Sequence, residues 1–454
     1  MRASEPLLSD GGRKTALMEE VVQLRNAEIW TPERSDARTL TFQGRRILAI
    51  GEASGLPLPD RVYDAQGGRV VPGLIDTHLH GGDGADSMEG TVEAVYRLAR
   101  AHAYHGTTAV VPAVFAAPME RIERAMVAIG EAARNPIEDG ARVLGAHIEG
   151  KFGSPQKRGA HEAAYLEPPT IEAFQRLWKA SGGEIRIFSY AVELDEDLRL
   201  TRYLAQRAEE YRLVPAIGHT DADYPTARAA IEAGVRWAVH LYNAMSGHHR
   251  RQVGALEAVL EDPRVHAELI ADGRHVHRLW GLFAFRLKGA ERMGLITDAL
   301  YPAALRAHRF QDFFERDPAT GFWVSREERE LEGEVTRRRT YWIDGALYID
   351  DGAADGIPGK RLTGSVITLA EGLKNAISWG LGIAEAVRAA TASPADGLGL
   401  RSKGYLARGY DADIVVFDTD WNVRAVWVEG RAIRNELPLW SSTPDKTRPV
   451  ASGT

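Results

Sequence analysis

The 454-residue chain contains no cysteine. That excludes disulfides, cysteine-ligated zinc and a thiolate nucleophile, so any metal must be held by histidine and carboxylate side chains. It also fits a reducing, cytoplasmic setting. No apolar run approaches the ~20 residues needed to span a bilayer. The opening MRASEPLLSDGGRKTAL lacks the apolar middle of a secretory signal, and residues 1–17 are expected to form a disordered leader, with Met18 an alternative beginning. An excess of positive charge is missing too: a formal net charge of −7 offers no footprint for nucleic acid and no polybasic membrane anchor. Low-complexity tracts and short-period repeats are absent. The partners left by these exclusions are small molecules and other proteins.

What is present falls into two patterns. Short β-rich segments punctuated by Gly and Asp (VVQLRNAEIW, RTLTFQG, RRILAIGEA, RVYDAQGG) open the chain, and YLARGYDADIVVFD and VRAVWVEGRAIR near its end have the same character. The two ends are expected to pair into one β-sandwich, residues 18–70 with 401–440, followed by a tail over 441–454. Between them strand and helix alternate. Strand cores read at VVPGLID, TTAVVPAVF, RVLGAHIE, IRIFSYAVE, LVPAIGH, WAVHLYN, AELIADG and GLITDA, separated mostly by segments of helical period such as TVEAVYRLARAHAYHG and MERIERAMVAIGEAAR. Eight continuous apolar strands argue for a parallel sheet covered on its outer face, and eight is the number that closes a barrel. The expected fold is therefore α/β, a (β/α)8 TIM-type barrel over 71–400 with a small β-sandwich domain built from both chain ends. A long insertion, 301–362, rich in arginine and aromatics, follows the eighth strand and so falls at the barrel mouth. A lid or substrate-contacting hairpin and a surface or oligomer contact are both open readings of it.

Catalytic residues of such barrels sit at the C-terminal ends of the strands. The first strand ends in DTHLH: in a strand, residues two apart share a face, so His78 and His80 project together. The third ends in AHIEG with His147 and Glu149, the fifth in IGHTDAD with His219, and the sixth contains VHLYNAM with His240 and Asn243. ADGRHVH, with Asp272 and His275, follows the seventh, and the eighth ends in TDA with Asp298. Imidazoles plus a carboxylate, without sulfur, suit one or two divalent metal ions, Zn or Fe, in an open geometry that leaves room for water. Glu149, His219 and His240 make one such site; His78 and His80 add a second, with Glu149 able to bridge; Asp298 is then free to shuttle a proton. His147, a layer below Glu149, reads as a barrel residue, and Asp76 as an orienting group.

VVPGLIDTHLHGG, HIEGKF followed by KRGAH, IGHTDADYPTARAAIEAG, HLYNAM, ELIADGRHVH, LITDA and YLARGYDADIVVFD resemble the N-acetylglucosamine-6-phosphate deacetylases of the amidohydrolase superfamily, over about Val21 to Arg434. The resemblance implies a metal-dependent hydrolase that removes acetate from a 6-phosphorylated amino sugar, usually as a homodimer. It places metal ligands on Glu149, His219 and His240, the catalytic aspartate on Asp298, and, since both His78 and His80 are kept, a second metal beside the first. It places substrate contacts on His161, Asn243, Ala244, Arg251 and His275, with the arginine reaching across the dimer to the sugar phosphate. Two departures stand out. The usual Gly-Pro-Phe after the glutamate is Gly-Lys-Phe, which puts the cation Lys151 beside Glu149, and the loop HRRQVG keeps Arg251 and Gly254 but loses the family's Glu-Pro.

Overall fold

The computed structural model describes residues 19–305, 309–318, 321–325, 329–331, 334–336, 340–354 and 358–440; the expected leader at 1–17 and tail at 441–454 lie outside them. Eight parallel strands form the central sheet: β1 (Leu74–Leu79), β2 (Thr107–Val114), β3 (Ala146–Ile148), β4 (Ile185–Tyr190), β5 (Val214–Ile217), β6 (Trp237–Ala238), β7 (His266–Ile270) and β8 (Met293–Ile296), each hydrogen-bonded to the next in chain order. The ring closes where Asp298 N–H donates to the His78 carbonyl (2.8 Å) and His80 N–H to the Ala299 carbonyl (2.7 Å). All eight residues of β2 are buried. Such a strand has apolar side chains on both faces because one face fills the barrel and the other meets the helices.

Helices Val92–Tyr104, Met119–Arg134, Ile171–Ala180, Arg199–Tyr211, Tyr224–Ala233, Ala255–Glu261, Arg278–Lys288 and Leu369–Trp379 follow β1 to β8 in turn. Their apolar residues recur at helical spacing; in the first, Val95, Leu98, Ala99, His102 and Ala103 form the buried stripe. Thr91, Thr170, Asp223 and Thr368 cap their helices by accepting a backbone N–H.

Two further sheets come from the chain ends. One orders Arg46–Ile50, Leu40–Gln43, Val21–Arg25 and Arg61–Asp64; the other orders Glu28–Ile29, Arg69–Pro72, Ile414–Phe417, Val423–Val428 and Arg431–Asn435. Leu24, Phe42, Ile47, Ile414 and Trp427 share one core between them.

Three boundaries differ from the sequence expectation. The third strand segment breaks at Gly145, the sixth ends at Ala238 rather than running through Asn243, and the fifth ends at Ile217. His219, His240, Tyr242, Ala244 and Asp298 all take positive φ. The chain therefore leaves the sheet abruptly at the mouth, and non-glycine residues in that region of backbone space mark strain held by their surroundings.

The described part of the insertion folds as a five-stranded antiparallel sheet, Phe314–Arg316, Trp323–Ser325, Thr340–Ile343, Ala346–Ala354 and Pro358–Leu362, around Val324, Tyr341, Ile343, Ala346 and Tyr348. Its Ile349, Arg361 and Leu362 line the cavity at the barrel mouth. No helix among the described residues is long and apolar enough to cross a membrane.

Candidate active site

At the mouth, side-chain atoms from the turns just after β3, β5 and β6 converge. Glu149 Oε1 stands 2.5 Å from His219 Nε2 and 3.3 Å from His240 Nε2, and the two imidazole nitrogens are 3.1 Å apart. All three residues are buried. The His219 Nδ1 atom donates to the Lys157 carbonyl (2.8 Å), which leaves Nε2 as the lone-pair nitrogen facing the carboxylate. Burial lowers the His219 pKa to about 4, so the ring is neutral and ready to ligate at pH 7. Burial disfavours ionised Glu149, but the adjacent His161 outweighs it and holds the carboxyl well below its usual range. Lone pairs this close repel each other unless a cation lies among them.

A second trio, His78, His80 and Glu149, shares the carboxylate. Here His78 Nε2 is buried without a hydrogen-bond partner, an orphaned nitrogen of the kind that could bind an ion. The donor set of the two trios, nitrogen and oxygen only, fits a divalent cation. Asp298 closes the group from β8: His80 Nε2 lies 3.1 Å and His78 Nε2 3.6 Å from its Oδ1. Burial opposes its ionisation, yet the charges of His78 and His80 hold its pKa far below the usual carboxylate value.

The remaining residues expected at the site divide. His161 is brought in, its Nε2 3.0 Å from Glu149 Oε2. The approach depends on Gly150, whose φ is 73° and where an added Cβ would fall 2.1 Å from that same nitrogen. Asn243 and Ala244 line the cavity on the turn after β6, with Asn243 Nδ2 donating to the His240 and Leu241 carbonyls at 3.2 Å each. His275 also lines it, but both ring nitrogens are engaged, Nδ1 with Asp272 Oδ2 (2.6 Å) and Nε2 with the Thr363 carbonyl (2.5 Å). Two acceptors call for two ring protons. Burial opposes that charge, and the Asp272 carboxylate overcomes it to raise the His275 pKa. Arg274, whose Nη2 donates to the Asp344 carbonyl (2.7 Å), thus docks the insertion on the rim, and His275 holds Thr363, the residue that follows it. Arg251 is exposed and lies outside the cavity lining among the described residues.

Lys151 does not enter the site. Its ammonium is buried and donates to the Ala117 carbonyl (3.0 Å), the Tyr165 carbonyl (2.8 Å) and Glu167 Oε1 (2.8 Å), so its three protons tie the loop that carries His161 to the end of β2. Lys151→Met leaves these acceptors without their donor. We expect stability to fall by about 2–3 kcal/mol, read as a lower urea midpoint, with metal content unchanged.

Of two acids in the interior, the sequence reads Asp76 as an orienting group and does not single out Glu268. Asp76 accepts from Thr297 Oγ1 (2.6 Å) and from the His78 backbone N–H (3.2 Å), joining β1 to β8 rather than touching a ring; burial raises its pKa to about 7. Glu268, fully buried in β7, reaches His78 Nδ1 at 3.1 Å. The available signal was an acid at the centre of the apolar strand HAELI. His147 is buried below, Nδ1 3.2 Å from the Thr77 carbonyl, its ring 4.4 Å from that of His78.

A closed parallel barrel with imidazoles and carboxylates gathered on its C-terminal rim defines a metal-dependent hydrolase class, and the chain belongs to the amidohydrolase family, whose sequence model matches residues 69–433. Within that class the similarity is to amino-sugar-phosphate deacetylases. The N-acetylglucosamine-6-phosphate deacetylase of Vibrio furnissii is 31% identical over 80% of this chain and 82% of its own. The N-acetylgalactosamine-6-phosphate deacetylase of Escherichia coli O157:H7 is 30% identical over 83% and 90%. Among solved structures, a point mutant of the Mycobacterium smegmatis N-acetyl-D-glucosamine-6-phosphate deacetylase in complex with N-acetyl-D-glucosamine-6-phosphate is 28% identical, with a TM-score of 0.77 over 92% of this chain and 100% of that one.

Proposed function

We propose that this protein hydrolyses the N-acetyl group of a 6-phosphorylated amino sugar, N-acetylglucosamine 6-phosphate foremost, to the free amine and acetate. The observation that carries the reading is the convergence of Glu149, His219 and His240 on one point, with Asp298 beside the His78–His80 pair. The ligands suit Zn or Fe, at one or two ions per chain. A divalent ion bound there lowers the pKa of water to about 7 and polarises the amide carbonyl.

The chain's own groups complete the reaction. Asp298, ionised far below neutral pH, takes a proton from the attacking water and delivers it to the amine nitrogen as the carbon–nitrogen bond breaks. His161 donates Nε2–H to the carbonyl oxygen as charge builds there, a role worth roughly 3–4 kcal/mol for one good donor. The cavity, about 810 Å³, lies within the size range of small-molecule sites. Phe115, Leu300, Tyr301, Ile349 and Leu362 give it an apolar side.

We place the phosphate contact at Arg251 of a second copy. Beside that loop, the helix Arg278–Lys288 exposes Leu279, Trp280, Phe283 and Leu287, and Trp280 meets His248 edge to face with ring centroids 4.2 Å apart. An apolar helix face of this kind supports a homodimer, in a cytoplasmic enzyme.

The test is acetate release from phosphorylated and unphosphorylated N-acetylglucosamine and N-acetylgalactosamine, beside N-acyl amino acids and a cyclic amide, with metal measured on the same sample. The phosphorylated sugars are expected to lead; preference for an N-acyl amino acid or a cyclic amide overturns the substrate. Arg251→Ala is expected to raise KM for the phosphorylated sugars by about 10- to 100-fold, the loss of one charge-assisted hydrogen bond, and to leave the unphosphorylated ones unchanged. Light scattering that finds a monomer removes the partner's role.

A further inference from the structure

The buried carboxylate of Glu268 is the feature of the barrel interior that the proposed chemistry does not yet use. Its two oxygens have distinct partners. Oε1 accepts from Thr77 Oγ1 (2.8 Å) and from the indole Nε1–H of Trp237 (2.9 Å). Oε2 faces His78 Nδ1 (3.1 Å) and the backbone N–H of His240 (3.4 Å). An indole nitrogen only donates, so Oε1 is held as an acceptor and the orientation of the group is set. An ionised Oε2 keeps a proton on His78 Nδ1, so a ring that gives up its other proton to bind an ion offers the lone pair of Nε2, the orphaned nitrogen that faces Asp298 and the Glu149 site. The bulge in β1 makes the geometry possible. Between Asp76 and Leu79 the register against β2 slips by one residue, and the neighbouring residues Thr77 and His78 both reach the same carboxylate. Glu268 also clusters with His78 and His147, but protein donors already fill its oxygens, so the cluster supports the site above it.

From this we infer that Glu268 is a positioning residue: it selects the His78 tautomer that can bind an ion through Nε2, and so decides whether the His78–His80–Glu149 position fills. The inference rests on the metal-dependent reading above. It applies to this chain the general behaviour of histidine ligands, whose second ring nitrogen is oriented by a hydrogen-bonding partner.

Glu268→Gln reverses one polarity while nearly preserving shape. Trp237 pins the amide oxygen at the Oε1 place, so the amide NH2 turns toward His78 and donates to Nδ1. The ring proton moves to Nε2 and the ligating lone pair is lost. Wild type, E268Q and H78A are to be stripped of metal, saturated with zinc, freed of excess and assayed for zinc per chain, with circular dichroism melts alongside. Two ions are expected in wild type and one in each variant, the remaining ion being held by Glu149, His219 and His240. Two ions in E268Q beside one in H78A overturn the role of Glu268. A single ion in wild type also overturns it, and none overturns the metal-dependent reading itself. If E268Q fails to fold, 15N-histidine spectra of zinc-loaded wild type decide the matter. A proton on Nδ1 of His78, identified by its loss in H78A, is expected, and its absence refutes the inference.

Discussion

Asp298→Asn is expected to reduce kcat by about 10²- to 10⁴-fold, the range for loss of a positioned acid–base group, while metal content and melting temperature stay near wild type. The substitution is close to isosteric, and asparagine tolerates the left-handed backbone as aspartate does; Asp298 sits at φ 49°, where most other replacements add strain. The backbone bonds that anchor the position, Asp298 N–H to the His78 carbonyl and Ser365 N–H to the Asp298 carbonyl, both 2.8 Å, do not involve the side chain. What disappears is an anion able to take a proton from water and return it to the amine. Steady-state kinetics with metal analysis on the same preparation checks this. A variant that keeps most of its turnover removes Asp298 from the mechanism.

The second large effect is expected from Glu149. It belongs to both ligand trios, so Glu149→Ala strips the site more completely than loss of His240, which belongs to one. The electrostatic help of a divalent ion is several kcal/mol, on the order of 10³-fold or more in rate, and E149A is expected to fall at least that far, with zinc per chain below that of H240A. Exhaustive chelation of wild type has the same effect on rate, reversed by added zinc. It also lowers the melting temperature, because an ion that binds only the folded chain stabilises it by about 4 kcal/mol at a thousand times its dissociation constant. Full activity in a protein shown to be metal-free defeats the proposal at its base.

Several parts of the site could be read before any coordinates because their geometry is local. His78 and His80, two apart at the end of an apolar strand, share a side by the period of the strand, and their ring centroids lie 5.4 Å apart. Glu149, His219, His240 and Asp298 could be gathered on one rim because strands that close a barrel deliver their C-terminal ends to one face. Lys151 shows where such reading stops. Adjacency in sequence put its charge next to Glu149, whereas Gly150 between them takes a positive φ of 73° and the ammonium runs to Ala117 and Tyr165. His275 is a similar case. Its place on the rim was evident, but the acceptor that takes its second nitrogen, the Thr363 carbonyl, comes from 88 residues further along the chain.

By itself the sequence determined the alternation of strands and helices, the rim on which imidazoles and acids collect, and the exclusion of thiolate chemistry. These follow from side-chain period, apolar patterning and residue inventory, all properties of a short stretch of chain. Only the tertiary structure decided that Lys151 braces a loop, that the insertion is docked through Arg274, that Arg251 stays outside its own cavity, and that Glu268 faces His78. Each of those depends on the direction of a donor or lone pair relative to a partner on a distant segment. Packing sets that direction, and no local pattern encodes it.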